Sequence, residues 1–422
     1  MLPRYYSIDP GKYKLEKVVD NFSVYMDWRQ EECQVLRDSE RDAYFIENDY
    51  FFGSRAGAYG ERDDPERFVL FARAALEACI RMGWYPDVIH AHDWHSAAAV
   101  RLHWAAPERA ATVFTIHNIA HQGYVSNSKW PLLGVYDAAG PLNLMEQAIY
   151  AADLVTTVSP TYSQEICTAE YGFGLEGVLR GKGDRVVGIL NGLDYDSWNP
   201  ATDPAIAQHF SADDPAGKRE CKRALQEEVG LPQRADVPLL SVVSRLDSQK
   251  GIRLILDALP EILSLTHAQV MFLGSGSSQY ESEIHGWTAG HGNRIASFIG
   301  FNGDLARRIY AGSDCFLMPS SFEPCGLSQL MSMRYGTLPI ARATGGLADT
   351  IRNRINEDWT GYLFGPYDKG AMLGAIGRAL NDYPNSALWT GAVLRAMRAD
   401  FSWERSAARY EEIFNWALEV RG

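Results

Sequence analysis

PLLSVVSRLDSQKGIRLILDALPEILSLTHAQVMFLG, residues 238–274, reads as strand, loop, helix, strand. PLLSVVS (238–244) and AQVMFLG (268–274) are short apolar runs, and GIRLILDALPEIL between them has apolar residues at helical spacing. Such a unit predicts parallel neighbouring strands joined by a crossover helix. The pattern continues through IASFIG (295–300), CFLMPS (315–320), TLPIAR (337–342) and GYLF (361–364), separated by helical stretches such as GDLARRIYAG. The second half is therefore expected to be an α/β domain with a parallel sheet covered on both faces.

The first half follows a looser version of this pattern. Its clearest strands are DVIHAH (87–92), TVFTIHN (112–118), LVTTVS (154–159) and RVVGILN (185–191), and an amphipathic helix over roughly 65–82 precedes them. Between the halves, NGLDYDSWNPATDP (191–204) is rich in Asn, Gly, Asp and Pro, the composition of a hinge or linker. WERSAARYEEIFNWALEV (403–420) has helical spacing with no strand after it. The expected fold is α/β, with two Rossmann-like, doubly wound domains facing across a cleft. The expected domains are 1–192, 193–400 and a terminal helix over 401–422 that returns to the first domain. Ligands in such sheets bind at the carboxyl ends of strands, where strand order reverses.

The bulk numbers narrow the function classes. A 422-residue chain with 46% hydrophobic and 22% charged residues has material for a sizeable core. A formal charge of −13 disfavours nonspecific binding to nucleic acid or an anionic membrane. No apolar run is long enough to span a bilayer. Cys33, Cys79, Cys167, Cys221, Cys315 and Cys325 are scattered without a CxxC pair, which points to reduced thiols in the cytoplasm rather than a disulfide framework or zinc site.

The polar motifs fall just after expected strands. In SRLDSQKG (244–251), Arg245 and Lys250 stand beside a helix N-terminus, an arrangement suited to a diphosphate, although solvated surface cations are the plainer reading. In SSFEPCGLSQL (320–330), Glu323 is held in a tight turn where a carboxylate can accept sugar hydroxyls, Pro324 suits a first helical turn and Gly326 permits close ligand approach. A carboxylate complementing the helix dipole is the alternative. In ATGGLADT (343–350), Thr344, Gly345 and Gly346 precede a helix and offer backbone donors to an anion. GSGSSQ (274–279) lacks the third glycine of the dinucleotide fingerprint.

His90, His92, His95, His117 and His121 crowd into VIHAHDWHSA and FTIHNIAHQG. A strand position for His90 and His92, with no carboxylate ligand set at zinc spacing, argues against a metal. Histidines and Asp93 lining a sugar cleft fit better, with satisfied core histidines as the alternative for His90 and His92. Asp194-Tyr195-Asp196 spells DxD, but in a linker it reads as turn chemistry. No metal or organic cofactor is expected.

HAHDWH, TIHNIAHQG, TTVSPTYSQEI, ILNGLD, SRLDSQKG, FEPCGLSQL, YGTLPIARATGGLADTI and WERSAARY together resemble the bacterial-type glycogen/starch synthases, retaining glycosyltransferases of GT-B architecture. The motifs occur in family order along almost the whole chain. The resemblance implies that Arg245 and Lys250 bind the donor diphosphate and that Glu323 holds the donor glucose hydroxyls. It places His117 against the glucosyl unit and Asp93 on the glucose and acceptor side. Thr344, Gly345 and Gly346 would cradle phosphate, and Phe301 would meet the nucleotide base. Asn191, Cys325, Gly326 and Leu327 are implied as further substrate contacts. The implied reaction transfers glucose from ADP-glucose, or UDP-glucose, to the non-reducing end of an α-1,4-glucan with retention.

Family members begin with a strand and a K-x-G-G-L loop at the donor diphosphate. The opening LPRY corresponds to sequence that follows the second strand, so about forty residues, one βαβ-sized unit, are expected to be absent and the first domain truncated. A non-catalytic glucan- or nucleotide-binding protein is the corresponding alternative. A glucan phosphorylase, which would need pyridoxal phosphate on a lysine, is another.

Overall fold

The computed structural model describes residues 1–106 and 110–421, so Gly422, the last residue of the expected terminal segment, lies outside them. The chain divides into two compact units. The first comprises Met1–Thr157, Ser163–Val187 and Arg409–Gly422, and the second Val158–Tyr162 and Gly188–Ala408.

The second unit is built on six parallel strands in the spatial order Ile295–Ile299, Gln269–Gly274, Leu239–Val243, Cys315–Met318, Leu338–Arg342 and Tyr362–Phe364. The order reverses between Leu239–Val243 and Cys315–Met318, the switch point of a Rossmann-type sheet. The four inner strands are almost wholly buried along their length. Helices cover both faces, so the sequence runs apolar without alternation. Leu240, Val242, Phe272, Phe316 and Ile340 meet Ile255, Leu259, Met333 and Ile376 from the helices in one core.

The first unit holds a four-stranded sheet in the order Val186–Gly188, Leu154–Thr157, Ala111–Ile116, Val88–His92. The last three of these strands pair in parallel. Helix Asp93–His103 leaves the end of Val88–His92 and packs on the long helix Asp64–Arg81.

Two features depart from the sequence reading. Before the long helix, the first unit carries a second sheet: Leu2–Pro3, Ala43–Glu47, Gln30–Asp38 and Glu16–Tyr25. Its three longer strands form an antiparallel meander. Buried Phe22, Val24 and Met26 alternate with exposed Ser23 and Tyr25, and Asp27 (φ 65°) and Asp42 (φ 49°) supply left-handed turn positions. The second departure is 191–204, which is no free linker. Leu193 N donates to Phe401 O at 2.7 Å, buried Asp203 accepts from Arg307 at 2.9 Å, and the Arg307 guanidinium lies over Trp198. The segment is packed into the second unit, and the chain enters that unit at Gly188.

Among the described residues, no helix is long and apolar enough to cross a membrane. All six cysteines are free thiols.

Candidate active site

The loops at the switch point of the second unit carry most of the charged candidates. After Leu239–Val243 the chain runs through Arg245 to Gly251, the left-handed N-cap (φ 69°) of helix Ile252–Leu265. A Cβ on Gly251 would lie 2.1 Å from Pro319 O, so only glycine lets this loop close on the one after Cys315–Met318. Ser321 N donates to Gln249 O at 2.8 Å and ties the loops together.

That closure brings Lys250 to Glu323. Lys250 Nζ lies 2.9 Å from Oε1 and 2.7 Å from Oε2, with the side chains 18% and 6% exposed. Ser320 Oγ donates to Glu323 Oε2 at 2.9 Å, and Lys250 N donates to Asp247 Oδ1 at 3.0 Å. A charge pair this deep is weak evidence for stability, because desolvation offsets much of the attraction. Here it fixes a carboxylate in one orientation. Arg245 is the exposed member of the group: its side chain is 64% exposed, paired with Asp247 at 2.8 Å and Gln249 at 3.2 Å. Val243, Ser244, Arg245, Lys250, Leu317, Met318, Ser320 and Ser328 line a cavity of about 160 Å³ at this junction. It lies where a Rossmann-type sheet takes its ligand.

Pro324 does not start a helix. The next helix is Ser328–Arg334, with Leu327 as its N-cap, and Pro324 sits in the preceding turn. The glycine pair also differs from expectation: Thr344 caps helix Gly345–Thr350, so both glycines lie inside its first turn. Gly346 N donates to Glu323 O and Pro324 O, each at 3.1 Å, and Thr344 N donates to Arg342 O at 3.0 Å. Those two amides are spent within the protein rather than pointed at an anion. A Cβ on Gly346 would stand 2.0 Å from Cys325 O, and one on Gly345 2.0 Å from Glu323 O. The pair lets the loop lie flush against Glu323–Cys325. Burial pushes the Cys325 thiol up to about 12, against the opposing effect of the Asn191 backbone N–H bonded to it.

Phe301 follows Ile295–Ile299, is 94% exposed and does not line the cavity. Leu327 is also exposed. The GSG turn serves the Arg245 loop, since Leu246 N donates to Ser275 O at 2.9 Å and Ser277 N to Leu246 O at 2.8 Å. Asp194 closes a turn by accepting from Asp196 N, Ser197 N and Ser197 Oγ.

Sequence reasoning missed Ser320, Asp247 and Gln249, which hold the charged residues. It also missed Asp349, which accepts from Thr161 N at 2.9 Å and from Thr161 Oγ1 at 2.6 Å. Ser320, Asp247 and Gln249 lie within four residues of the charged groups they hold, so polar residues flanking Arg245, Lys250 and Glu323 were the available signal; the Asp349 contact spans 188 positions and depends on tertiary closure.

The first unit gathers the histidines at the end of Val88–His92. Asp93 takes φ 54°, an unusual value for a non-glycine residue at a strand-to-helix junction. Its Oδ1 accepts from His117 N at 2.8 Å and Asn118 N at 3.4 Å. Burial raises the Asp93 carboxyl above its ordinary range, opposed by His117 and these two amides. His92 Nδ1 and His117 Nε2 are 3.0 Å apart, and His90 Nε2 is 2.6 Å from Thr115 Oγ1. Removal from water lowers His90 to about 3, and His92 to about 4 although that residue keeps solvent exposure. Burial likewise lowers His95 to about 4. Half-buried His90 packs on Tyr410 and Phe414, while His92, Asp93 and His117 form a connected polar group.

Residues 1–181 match the starch synthase catalytic domain family, and residues 226–391 match glycosyl transferases group 1. A glycogen synthase of Anaeromyxobacter sp. (strain Fw109-5) is 42% identical, the match covering 98% of this chain and 90% of that one. A glycogen synthase of Geobacillus stearothermophilus is 41% identical, covering 99% and 90%. The solved catalytic domain of starch synthase IV from Arabidopsis thaliana, bound to ADP and acarbose, superposes with a TM-score of 0.91 at 35% identity, covering 99% and 92%. A sucrose-phosphate synthase from Thermosynechococcus elongatus shares the fold at a TM-score of 0.60 and 21% identity, covering 92% and 86%. With its two Rossmann-like domains of GT-B type, the chain belongs to the glycogen/starch synthase family of glycosyltransferases.

Proposed function

We propose that this chain transfers glucose from ADP-glucose to the non-reducing end of an α-1,4-glucan with retention, and that the loops at the sheet switch point are its donor site. The glycogen/starch synthase activity follows from family membership. The choice of ADP-glucose over UDP-glucose is the finer part of the reading. The observation that carries the site assignment is the Lys250–Glu323 pair, held at the ends of the two strands where the sheet order reverses.

Cleaving a nucleotide–glucose bond builds negative charge on the departing diphosphate and positive charge at the anomeric carbon. Arg245, Lys250 and the N-terminus of helix Ile252–Leu265 are the groups to stabilise the first, and preorganised charge of this kind is usually the largest catalytic term. Donor binding gives Lys250 a phosphate partner, and Glu323 exchanges an ammonium for glucose hydroxyls. Cys325, Gly326, Leu327 and Asn191 are the further substrate contacts of this reading, although they lie outside the residues that line the cavity. Thr344, Gly345 and Gly346 act mainly by supporting the Glu323 turn, with Phe301 offered to the base. In the first unit, His117 meets the glucosyl unit, and Asp93 orients the His117 backbone and serves the acceptor. The leaving phosphate assists deprotonation of the acceptor hydroxyl. Unpaired cysteines fit a cytoplasmic setting.

The test is a transfer assay on the purified chain with a glycogen primer, comparing ADP-glucose and UDP-glucose at equal concentration. The reading predicts nucleoside diphosphate release matched by α-1,4-linked glucose, fastest with ADP-glucose. A faster reaction with UDP-glucose would overturn the donor assignment, and absence of transfer with either would overturn the catalytic reading.

A further inference from the structure

Glu323 is held by a neighbour that carries no charge. Ser320 stands two residues beyond strand Cys315–Met318, is fully buried and lines the cavity at the strand ends. Its Oγ donates to Glu323 Oε2 at 2.9 Å. Other segments pin the backbone around this contact. Ser321 N donates to Gln249 O at 2.8 Å, Arg342 Nη1 donates to Ser321 O, and Gly346 N donates to Glu323 O at 3.1 Å. The hydroxyl therefore acts from a fixed point, three residues from the carboxylate it serves.

Ser320 and Lys250 answer differently to a donor. Lys250 Nζ bonds both carboxylate oxygens, but it is a cation and a diphosphate attracts it. Once the ammonium turns to phosphate, Glu323 loses its charged partner at the moment it must face the glucose. Ser320 has no charge to be drawn away, and a hydrogen bond to an ionised acceptor is among the stronger kinds. It takes one lone pair of Oε2, which leaves the other and those of Oε1 to accept sugar hydroxyls. A carboxylate held by a directional bond in a buried turn keeps its aim without rearrangement during the reaction, the condition for preorganised catalysis.

We propose that Ser320 is a positioning residue for glucosyl transfer: its hydroxyl keeps the Glu323 carboxylate aimed at the donor glucose after Lys250 has engaged the diphosphate. This rests on the donor-site reading above and adds to it a residue that acts through Glu323, on the sugar and not on the nucleotide.

The test uses the full chain with Ser320→Ala, Ser320→Cys and Ser320→Thr, beside Glu323→Gln. Affinities for ADP and, without glucan, for ADP-glucose are measured by calorimetry together with transfer to glycogen. Ser320→Ala should bind ADP as the unsubstituted chain does, while affinity for ADP-glucose and kcat both fall. The fall in kcat should be roughly tenfold to a hundredfold, the span for one hydrogen bond to a charged group. Ser320→Cys keeps the shape but donates weakly, and should follow Ser320→Ala. Ser320→Thr keeps the hydroxyl and should restore transfer. A matched fall in ADP and ADP-glucose affinity marks a merely structural role and overturns the proposal. Native transfer in Ser320→Ala beside slow transfer in Glu323→Gln overturns it too, and native transfer in both removes the donor-site reading as well. If Ser320→Ala does not fold, Ser320→Cys decides between these outcomes. If the unsubstituted chain transfers no glucose, the difference in affinity between ADP-glucose and ADP still reports on Ser320.

Discussion

Lys250 Nζ lies within 2.9 Å of both carboxylate oxygens of Glu323, joining the loops that follow the two central strands of a parallel sheet. The two residues are 73 apart in sequence and meet only because the strand order reverses between them. Removing one partner leaves the other charge buried without its counter-ion, typically at about 3–5 kcal/mol. Lys250→Ala and Glu323→Ala should therefore each lower Tm clearly. The double variant should be no less stable than the worse single one, because the unpaired charge is gone. Thermal unfolding checks this; strictly additive losses would contradict it.

Arg245 should behave differently. Its side chain is largely exposed, so its ion pair with Asp247 contributes little to stability. Arg245→Ala is expected to leave Tm within about a degree while cutting transfer roughly 10²-fold, as for loss of one preorganised electrostatic group. Steady-state rates beside calorimetry separate the two effects.

Gly346→Ala tests the packing of the two site loops. The added Cβ would stand 2.0 Å from Cys325 O and 2.5 Å from Cys325 C, backbone atoms that cannot swing aside. The Glu323–Cys325 turn must move, so both stability and transfer should fall. An overpacking cost of about 1–3 kcal/mol is expected. A variant with native Tm and native rate would show that the close approach is dispensable.

Acid should destabilise the first unit through His90. Its folded pKa, about 3, lies below the ordinary 6.5 because burial disfavours the charged ring. The unfolded chain therefore takes up a proton near pH 6.5 that the folded chain refuses. The stabilisation is complete above pH 6.5 and is lost as pH falls toward 3. His90→Gln should flatten the fall in stability between pH 6 and 4, by up to about 1.4 kcal/mol per pH unit. Denaturant titrations at several pH values measure the slope; identical slopes would contradict the assignment.

Transfer should survive an excess of chelator. In the proposed donor site, Arg245 and Lys250 are the cations to neutralise the diphosphate in place of a metal, and Asp194 is occupied in closing a turn. Rates measured with and without chelator should agree. Loss of activity restored by manganese or magnesium would reopen the DxD segment as a ligand.

The parallel sheet of the second unit was legible because strands covered on both faces run apolar without interruption, as in AQVMFLG. The loops after them then carried Arg245, Lys250 and Glu323. The antiparallel sheet was harder. Its signal was a two-residue alternation, Phe22, Val24, Met26, set among charged outward residues and turned by Asp27 and Asp42 rather than glycine. The 191–204 segment has loop composition, yet its Leu193, Trp198 and Asp203 are held by residues more than a hundred positions away. Local composition cannot encode that. The same holds for Cys325 against Asn191 and for Thr161 against Asp349, contacts created by closure of the fold.

The most direct test of the donor-site assignment measures ADP affinity and glucosyl transfer together for the unsubstituted chain, Lys250→Ala and Glu323→Gln. If Lys250 holds the diphosphate and Glu323 the glucose, Lys250→Ala weakens ADP binding and slows transfer. Glu323→Gln slows transfer by roughly 10²-fold or more, while ADP binds as well as before or better, since the competing carboxylate charge on Lys250 is gone. Native transfer in both variants, or equal loss of ADP affinity in both, would contradict the account.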